Sequence, residues 1–207
     1  MPKVSEAHLE ARREQIVDAA VECFSRDGFH RTTMQDIIAQ SGLSAGAIYR
    51  YFASKDAIIE AIADERHALE RELIQAARAR GEPQAVLRTL ARTFFRSLTS
   101  ARERKRRRLG VQVWAEALHN PRILRMVRRG VDEPCAMLAA IIRDAQTRGA
   151  ASPKLDPDAA ATAMIALFQG FVLRQTWEPQ TPVEPYLALL ETVLDALAAG
   201  SPSSVIR

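Results

Sequence analysis

Between Thr33 and Tyr51 the chain has room for two short helices and one tight turn, and for little else. Thr33 is a good N-cap, and Asp36, three residues on, completes a capping box with a shorter acid than usual. The helix opened there must stop almost at once, because Ser41-Gly42 follows. Ser44 then caps a third helix predicted to reach about Tyr51. The two are joined by Gln40-Ser41-Gly42-Leu43, a helix-turn-helix pattern. Ile37, Ile38 and Ala39 before the turn, and Leu43, Ile48 and Phe52 beyond it, supply the packing between them.

The rest of the chain reads as helices of the same kind. Ile16, Ala19, Ala20, Cys23 and Phe24 form one apolar stripe that stops at Gly28. Ser54 caps a helix with Ile58, Ile62, Leu69 and Leu73, and Gly81-Glu82-Pro83 opens another through Leu90 and Leu98. Asn120-Pro121 marks a break followed by a short turn. Asp132 is expected to cap a separate helix, with Pro134 in its first turn where the missing donor is harmless. Asp156-Pro157 opens a very apolar helix. Thr181-Pro182-Val183-Glu184 reads as a capping box for the last one, stopped by Gly200. Alanine is abundant and β-branched runs are scarce, so the fold class is all-α with nine or ten helices.

At 207 residues the prior is one large domain or two small ones, and 47% hydrophobic residues is enough for a core. No apolar run approaches the ~18 residues of a membrane span, so no membrane partner is expected. Residues 1–15 lack an apolar signal-peptide core. With only Cys23 and Cys135, a reducing cytoplasm is the expected location. The net charge of +4 hides a split. Residues 1–66 hold eight Lys/Arg against eleven Asp/Glu, whereas residues 101–129 hold ten against two. A basic footprint for nucleic acid would therefore fall mid-chain.

Residues 24–59 carry a denser signal: Gly28-Phe29, Thr32-Thr33, Asp36-Ile37-Ile38-Ala39, Gly42-Leu43-Ser44, Gly46, Ile48-Tyr49, Tyr51-Phe52 and Ser54-Lys55-Asp56 at fixed spacing. This segment resembles the N-terminal domain of the tetracycline-repressor (TetR) family of bacterial transcriptional regulators. Beyond residue 66 only helical architecture and length agree. The resemblance implies a helix-turn-helix DNA-binding domain over 8–54 and a ligand-binding and dimerisation domain over 55–200, linked by the helix from residue 55, with a tail at 201–207. It further implies a homodimer through the C-terminal helices, with recognition helices in successive major grooves of a double-stranded operator, and a small-molecule effector that changes their spacing.

The candidate DNA-binding residues are Thr33, Ser44, Ala45, Gly46, Ala47, Tyr49, Arg50, Tyr51 and Lys55. The N–H groups and positive dipole end of helix two suit a phosphate. Thr33 either caps that helix only or also donates to phosphate, and Ser44 carries the same ambiguity. Gly46 lets the backbone approach DNA, or is merely a tolerated helix glycine. Arg50 is the candidate for bidentate guanine readout, worth ~1–3 kcal/mol of discrimination, or else a phosphate contact. Tyr49 resembles the family's phosphate- or thymine-contacting tyrosine, and Lys55 its phosphate-binding lysine. Ala45 and Ala47 depart from the longer polar chains common there, which shifts readout toward Arg50 and DNA shape.

Arg102, Arg104, Lys105, Arg106, Arg107 and Arg108 are an accessory DNA contact, an anionic-effector site or a solvated face. The expected effector pocket is apolar: Phe94, Leu98, Trp114, Leu118, Met126, Met137, Leu138 and Ile141, each also readable as ordinary core. Residues 132–148 with 157–176, or 157–176 with 182–199, are the candidate dimer helices. No catalytic or metal site is expected, and no cofactor: nucleophile elbow, phosphate-cradling loop, HExxH and CxxC motifs are absent, and His8, His30, His67 and His119 are scattered. The competing reading is a sequence-nonspecific architectural nucleic-acid binder acting through 102–108.

Overall fold

The computed structural model describes residues 6–79 and 81–199, and the expected tail at 201–207 and the stop at Gly200 lie outside them. Nine helices and no strands occur among the described residues: α1 (Glu6–Asp27), α2 (Met34–Ser41), α3 (Ala45–Tyr49), α4 (Lys55–Arg78), α5 (Pro83–Ser97), α6 (Ala101–Glu116), α7 (Pro121–Thr147), α8 (Pro157–Trp177) and α9 (Val183–Ala199). No helix among them is long and apolar enough to cross a membrane.

The chain divides into two compact units, one from residues up to 66 plus 105–127, the other from 67–104 plus 128 onward. Residues 8–54 fall inside the first, which also takes in the start of α4 and most of α6. Its core is built on the α1 stripe: Ile16, Ala20, Cys23 and Phe24 pack with Ile37, Ile48, Ile58, Leu109, Val113 and Met126. In the second unit α5 and α9 run antiparallel along a ladder of ion pairs, Arg88–Asp195, Arg92–Glu191 and Arg96–Glu184. Beneath it Phe95 meets Phe168, Phe171 and Tyr186 with ring centroids 5.3, 5.5 and 5.4 Å apart.

Three local expectations are overturned. Asp132 caps nothing: α7 is continuous from Pro121, with Pro134 inside it. An interior proline removes one helical hydrogen bond and crowds the carbonyl four residues back, at a cost of ~3 kcal/mol. The residue four back is Gly130. Packing on both sides of the proline, at Ile123 and Met126 before it and Leu138 and Ile141 after it, outweighs that cost. The capping box at Thr181 does not form either. The Thr181 hydroxyl donates to the Glu178 carbonyl (2.8 Å), and Glu184 reaches across to Arg96 instead of back to the backbone. The helix after Ser44 also ends earlier than expected, with Arg50 as its C-cap.

Candidate nucleic-acid interface

The helix-turn-helix forms by local chemistry. The Thr33 hydroxyl accepts from the Asp36 N–H, and the Asp36 carboxylate accepts from the Thr33 N–H (2.8 Å), so the capping box is complete. The turn closes at Gly42, whose φ of 68° is the left-handed region that glycine enters without strain. Ser41, buried beside it, donates to the Ile38 carbonyl and accepts from the Leu43 N–H. From α1, Gln15 donates to the Ser41 carbonyl at 2.8 Å and fixes the turn against the first helix.

This arrangement sets the surroundings of several candidate residues. The Thr33 hydroxyl also donates to Asp36 at 2.7 Å, so its proton is engaged within the protein. The carboxylate sits where a phosphate was expected at the start of α2, and those two hydrogen bonds hold its pKa below the usual range. Ser44 accepts from the Ala47 N–H and keeps its proton. On α3 and its C-cap, Ile48 is fully buried while Ala45, Gly46, Tyr49 and Arg50 are exposed, Tyr49 to 51%. A Cβ placed on Gly46 meets nothing within 4 Å, so no internal contact requires glycine there. Ala47 is half-buried, and Tyr51 packs partly against the core of the unit.

Lys55 faces inward. Its ammonium donates to the carbonyls of Phe29, His30 and Thr32 at 3.0, 3.0 and 3.2 Å, and lies 4.9 Å from the Phe29 ring centre. All three of its donors are used on the loop between α1 and α2. A second clamp on this loop comes from α6, where Gln112 Oε1 accepts from the Phe29 N–H at 2.9 Å. Nothing in the local pattern signals this contact, because the two residues are 83 positions apart.

The basic run is helical and largely engaged. Arg104 donates to the Leu98 and Thr99 carbonyls at the end of α5, and Lys105 pairs with Glu22 of α1. Arg102 and Arg107 also have protein partners. Further along, Arg122 pairs with Glu60 of α4. Two acids of residues 1–66, Glu22 and Glu60, are thus met by bases from α6 and α7.

The expected effector residues are divided between the two units. Leu118 is 79% exposed, and Met126 is core of the first unit, packed in the cluster that holds Phe24 and Ile58. Trp114 also belongs to that unit, half-buried. Phe94, Leu98, Met137, Leu138 and Ile141 belong to the second, with Leu98, Leu138 and Ile141 buried as ordinary core. Periodicity marks a buried face but not which core it joins. In the second unit α8 exposes Ala163, Ala166, Leu167 and Gly170, and α9 exposes Ala188, Leu189, Thr192 and Val193. Tyr186 ties the two helices by donating to the Leu167 carbonyl at 3.1 Å. The exposed positions of α7 after residue 131 are mostly polar: Asp132, Arg143 and Thr147, with Ala136 between them. Among the described residues no His/Cys/Asp/Glu group could hold a metal ion.

Two family models match the chain: bacterial regulatory proteins of the tetR family over residues 16–62, and the C-terminal region of BetI-type transcriptional repressors over 83–199. The transcriptional regulator UidR of Escherichia coli K12 is 30% identical over 162 residues, spanning 76% of this chain and 78% of that protein. Among solved structures, GusR of Salmonella enterica superposes with a TM-score of 0.76 at 27% identity, covering 96% of this chain and 100% of that one. A SmeT–triclosan complex gives a TM-score of 0.76 at 25% identity, over 95% and 98% of the two chains. With its helix-turn-helix, its helical C-terminal region and these relatives, the chain belongs to the TetR family and is a DNA-binding transcriptional regulator.

Proposed function

We propose that the protein is a cytoplasmic, non-enzymatic repressor that binds a (pseudo)palindromic operator as a homodimer and releases it when a small apolar or amphipathic molecule binds. The observation that carries the DNA reading is the outward surface of α3. It is built from small side chains around a glycine with no internal reason to be one, flanked by an exposed Tyr49 and Arg50. Gly46 lets the backbone approach the groove, and the Ala45 and Ala47 methyls suit thymine methyls. Ser44 gives its proton to a phosphate, and Tyr49 and Arg50 supply the polar readout. Thr33, Tyr51 and Lys55 act mainly by holding this surface in place.

Dimerisation through α8 with α9, in preference to α8 with α7, is supported by the small and apolar side chains those two helices expose. Such faces resemble a core cut in half. Release by a small molecule is supported by the triclosan complex of SmeT. The test is a gel shift on the promoter beside the protein's own gene, with random DNA as the reference. Arg50→Ala is expected to cost about tenfold to a hundredfold on the promoter and little on random DNA, and Tyr49→Phe a smaller selective loss. Equal loss on both DNAs would sink the regulator reading, as would promoter binding lost on neutralising Arg106 and Arg108.

A further inference from the structure

The face of α1 that builds the core of the first unit does not stay apolar to its end. Ile16, Val17 and Ala20 are buried on it, and one turn earlier the same face carries Arg12 and Arg13, both half-buried. Packing alone would put apolar side chains at those two positions. The two arginines reach the chain on either side of α3. The Arg13 guanidinium lies 5.9 Å from the centre of the Phe52 ring, just past α3, and its charge is met by Glu10. Arg12 donates from Nη1 to Gln15 Oε1 at 2.8 Å, and the Gln15 amide nitrogen donates in turn to the Ser41 carbonyl, in the turn before α3. That is the one contact Arg12 makes with the described residues, and none of their acids pairs with it. A guanidinium carries five N–H donors, so four of them, including the parallel pair on Nε and Nη2, take no partner from the described residues.

We propose that Arg12 holds a phosphate of the DNA backbone beside the groove that α3 enters, with Gln15 as the residue that positions it. The inference deepens the DNA reading above and rests on it. In a helix-turn-helix the N-terminal end of the second helix approaches the base edges, which brings the turn before it close to the sugar-phosphate strand at the rim of the groove. Arg12 is tied to that turn through a single amide side chain. Its partial burial is that of an arginine whose stem packs on the protein while its head meets solvent. The planar fork matches two oxygens of one phosphate. Thr33 and Lys55, the two side chains expected from sequence to take phosphates, are engaged by protein acceptors. Arg12 supplies the cation that they do not.

The test is fluorescence anisotropy of the full chain on the promoter and on random DNA, each across a salt series. Arg12→Met keeps the stem and removes the charge. It is expected to shrink the slope of log affinity against log salt by ~0.9 for each protomer bound, on both DNAs, and to weaken binding about tenfold for each protomer at about 0.1 M salt. Arg12→Lys returns the charge and should restore most of the slope. Gln15→Met leaves the charge but frees the guanidinium from the turn, so it should weaken promoter binding about twofold to fivefold with the slope unchanged. Thermal melts of all three confirm folding. If Arg12 served only to hold Gln15 against the turn, Arg12→Met and Gln15→Met would act alike and leave the slope intact. That result would overturn the proposal, as would a slope that Arg12→Lys fails to restore. Wild-type protein that binds promoter and random DNA equally refutes the operator reading instead, and Arg12 is then still tested by the slope on random DNA.

Discussion

Lys55→Met separates two accounts of one residue. Methionine keeps the aliphatic stem and its packing but removes the charge and all three donors. In the folded protein those donors reach the carbonyls of Phe29, His30 and Thr32. Phe29 and Thr32 are buried, whereas His30 is exposed and its carbonyl regains water on loss of the ammonium. A hydrogen bond to a charged group nets about 1.5–3 kcal/mol. Lys55 is itself half-exposed, so about 1 kcal/mol for each of the two poorly hydrated carbonyls is the better figure. The ring contact adds about 0.5 kcal/mol. The total, ~2–3 kcal/mol, corresponds to a fall of about 1 M in the urea midpoint. The assay is urea unfolding followed by Trp114 fluorescence in a Trp177→Phe background, so that the signal comes from the unit holding Lys55. The salt dependence of operator binding is measured beside it. If Lys55 were a phosphate ligand, the midpoint would stay put and the slope of log affinity against log salt would shrink by ~0.9. That pair of results would refute the inward role.

Three further outcomes are expected. Asp36 has its folded pKa lowered by Thr33, so its contribution is present at neutral pH and is lost as pH falls through that folded value. Thermal melts from about pH 7 to pH 3 should show a shallower acid loss for Asp36→Asn, and superimposable profiles would contradict this. A Cβ on Gly130 would collide with the His67 imidazole, so Gly130→Ala should cost ~1–3 kcal/mol; a cost that persists in a His67→Ala background would exclude the clash as its cause. Leu189→Glu with Val193→Glu should yield a monomer by light scattering and weaken operator binding, and an unchanged dimer mass would remove α9 from the interface.

What was legible in the sequence was local. Thr33, Asp36, Gly42 and Ser44 set helix ends through bonds to backbone within three residues, so the reading head could be drawn from spacing alone. The elements that misled depend on contacts far along the chain. Pro134 looks like a helix start until the packing on both sides of it is seen. Glu184 looks like a capping acid until Arg96, 88 positions away, claims it. Met126 sits on an apolar stripe that could serve either unit, and only the fold assigns it. Lys55 shows the same limit at the candidate site: its type and position suit a phosphate, yet three carbonyls brought round by the α1–α2 loop take its donors.

The pairing of Lys105 with Glu22 and of Arg122 with Glu60 has a consequence for how such a regulator searches a genome. Across the described residues of the first unit, thirteen basic side chains face twelve acidic ones. Non-specific affinity grows with the number of phosphates neutralised, and a reading unit near electrical balance neutralises few. Brief stays on arbitrary sequence are therefore expected, with few copies held idle by bulk DNA. Occupancy of the operator then depends on the ratio of specific to non-specific binding, more than on raw affinity. That ratio rests on the short exposed face between Ser44 and Arg50.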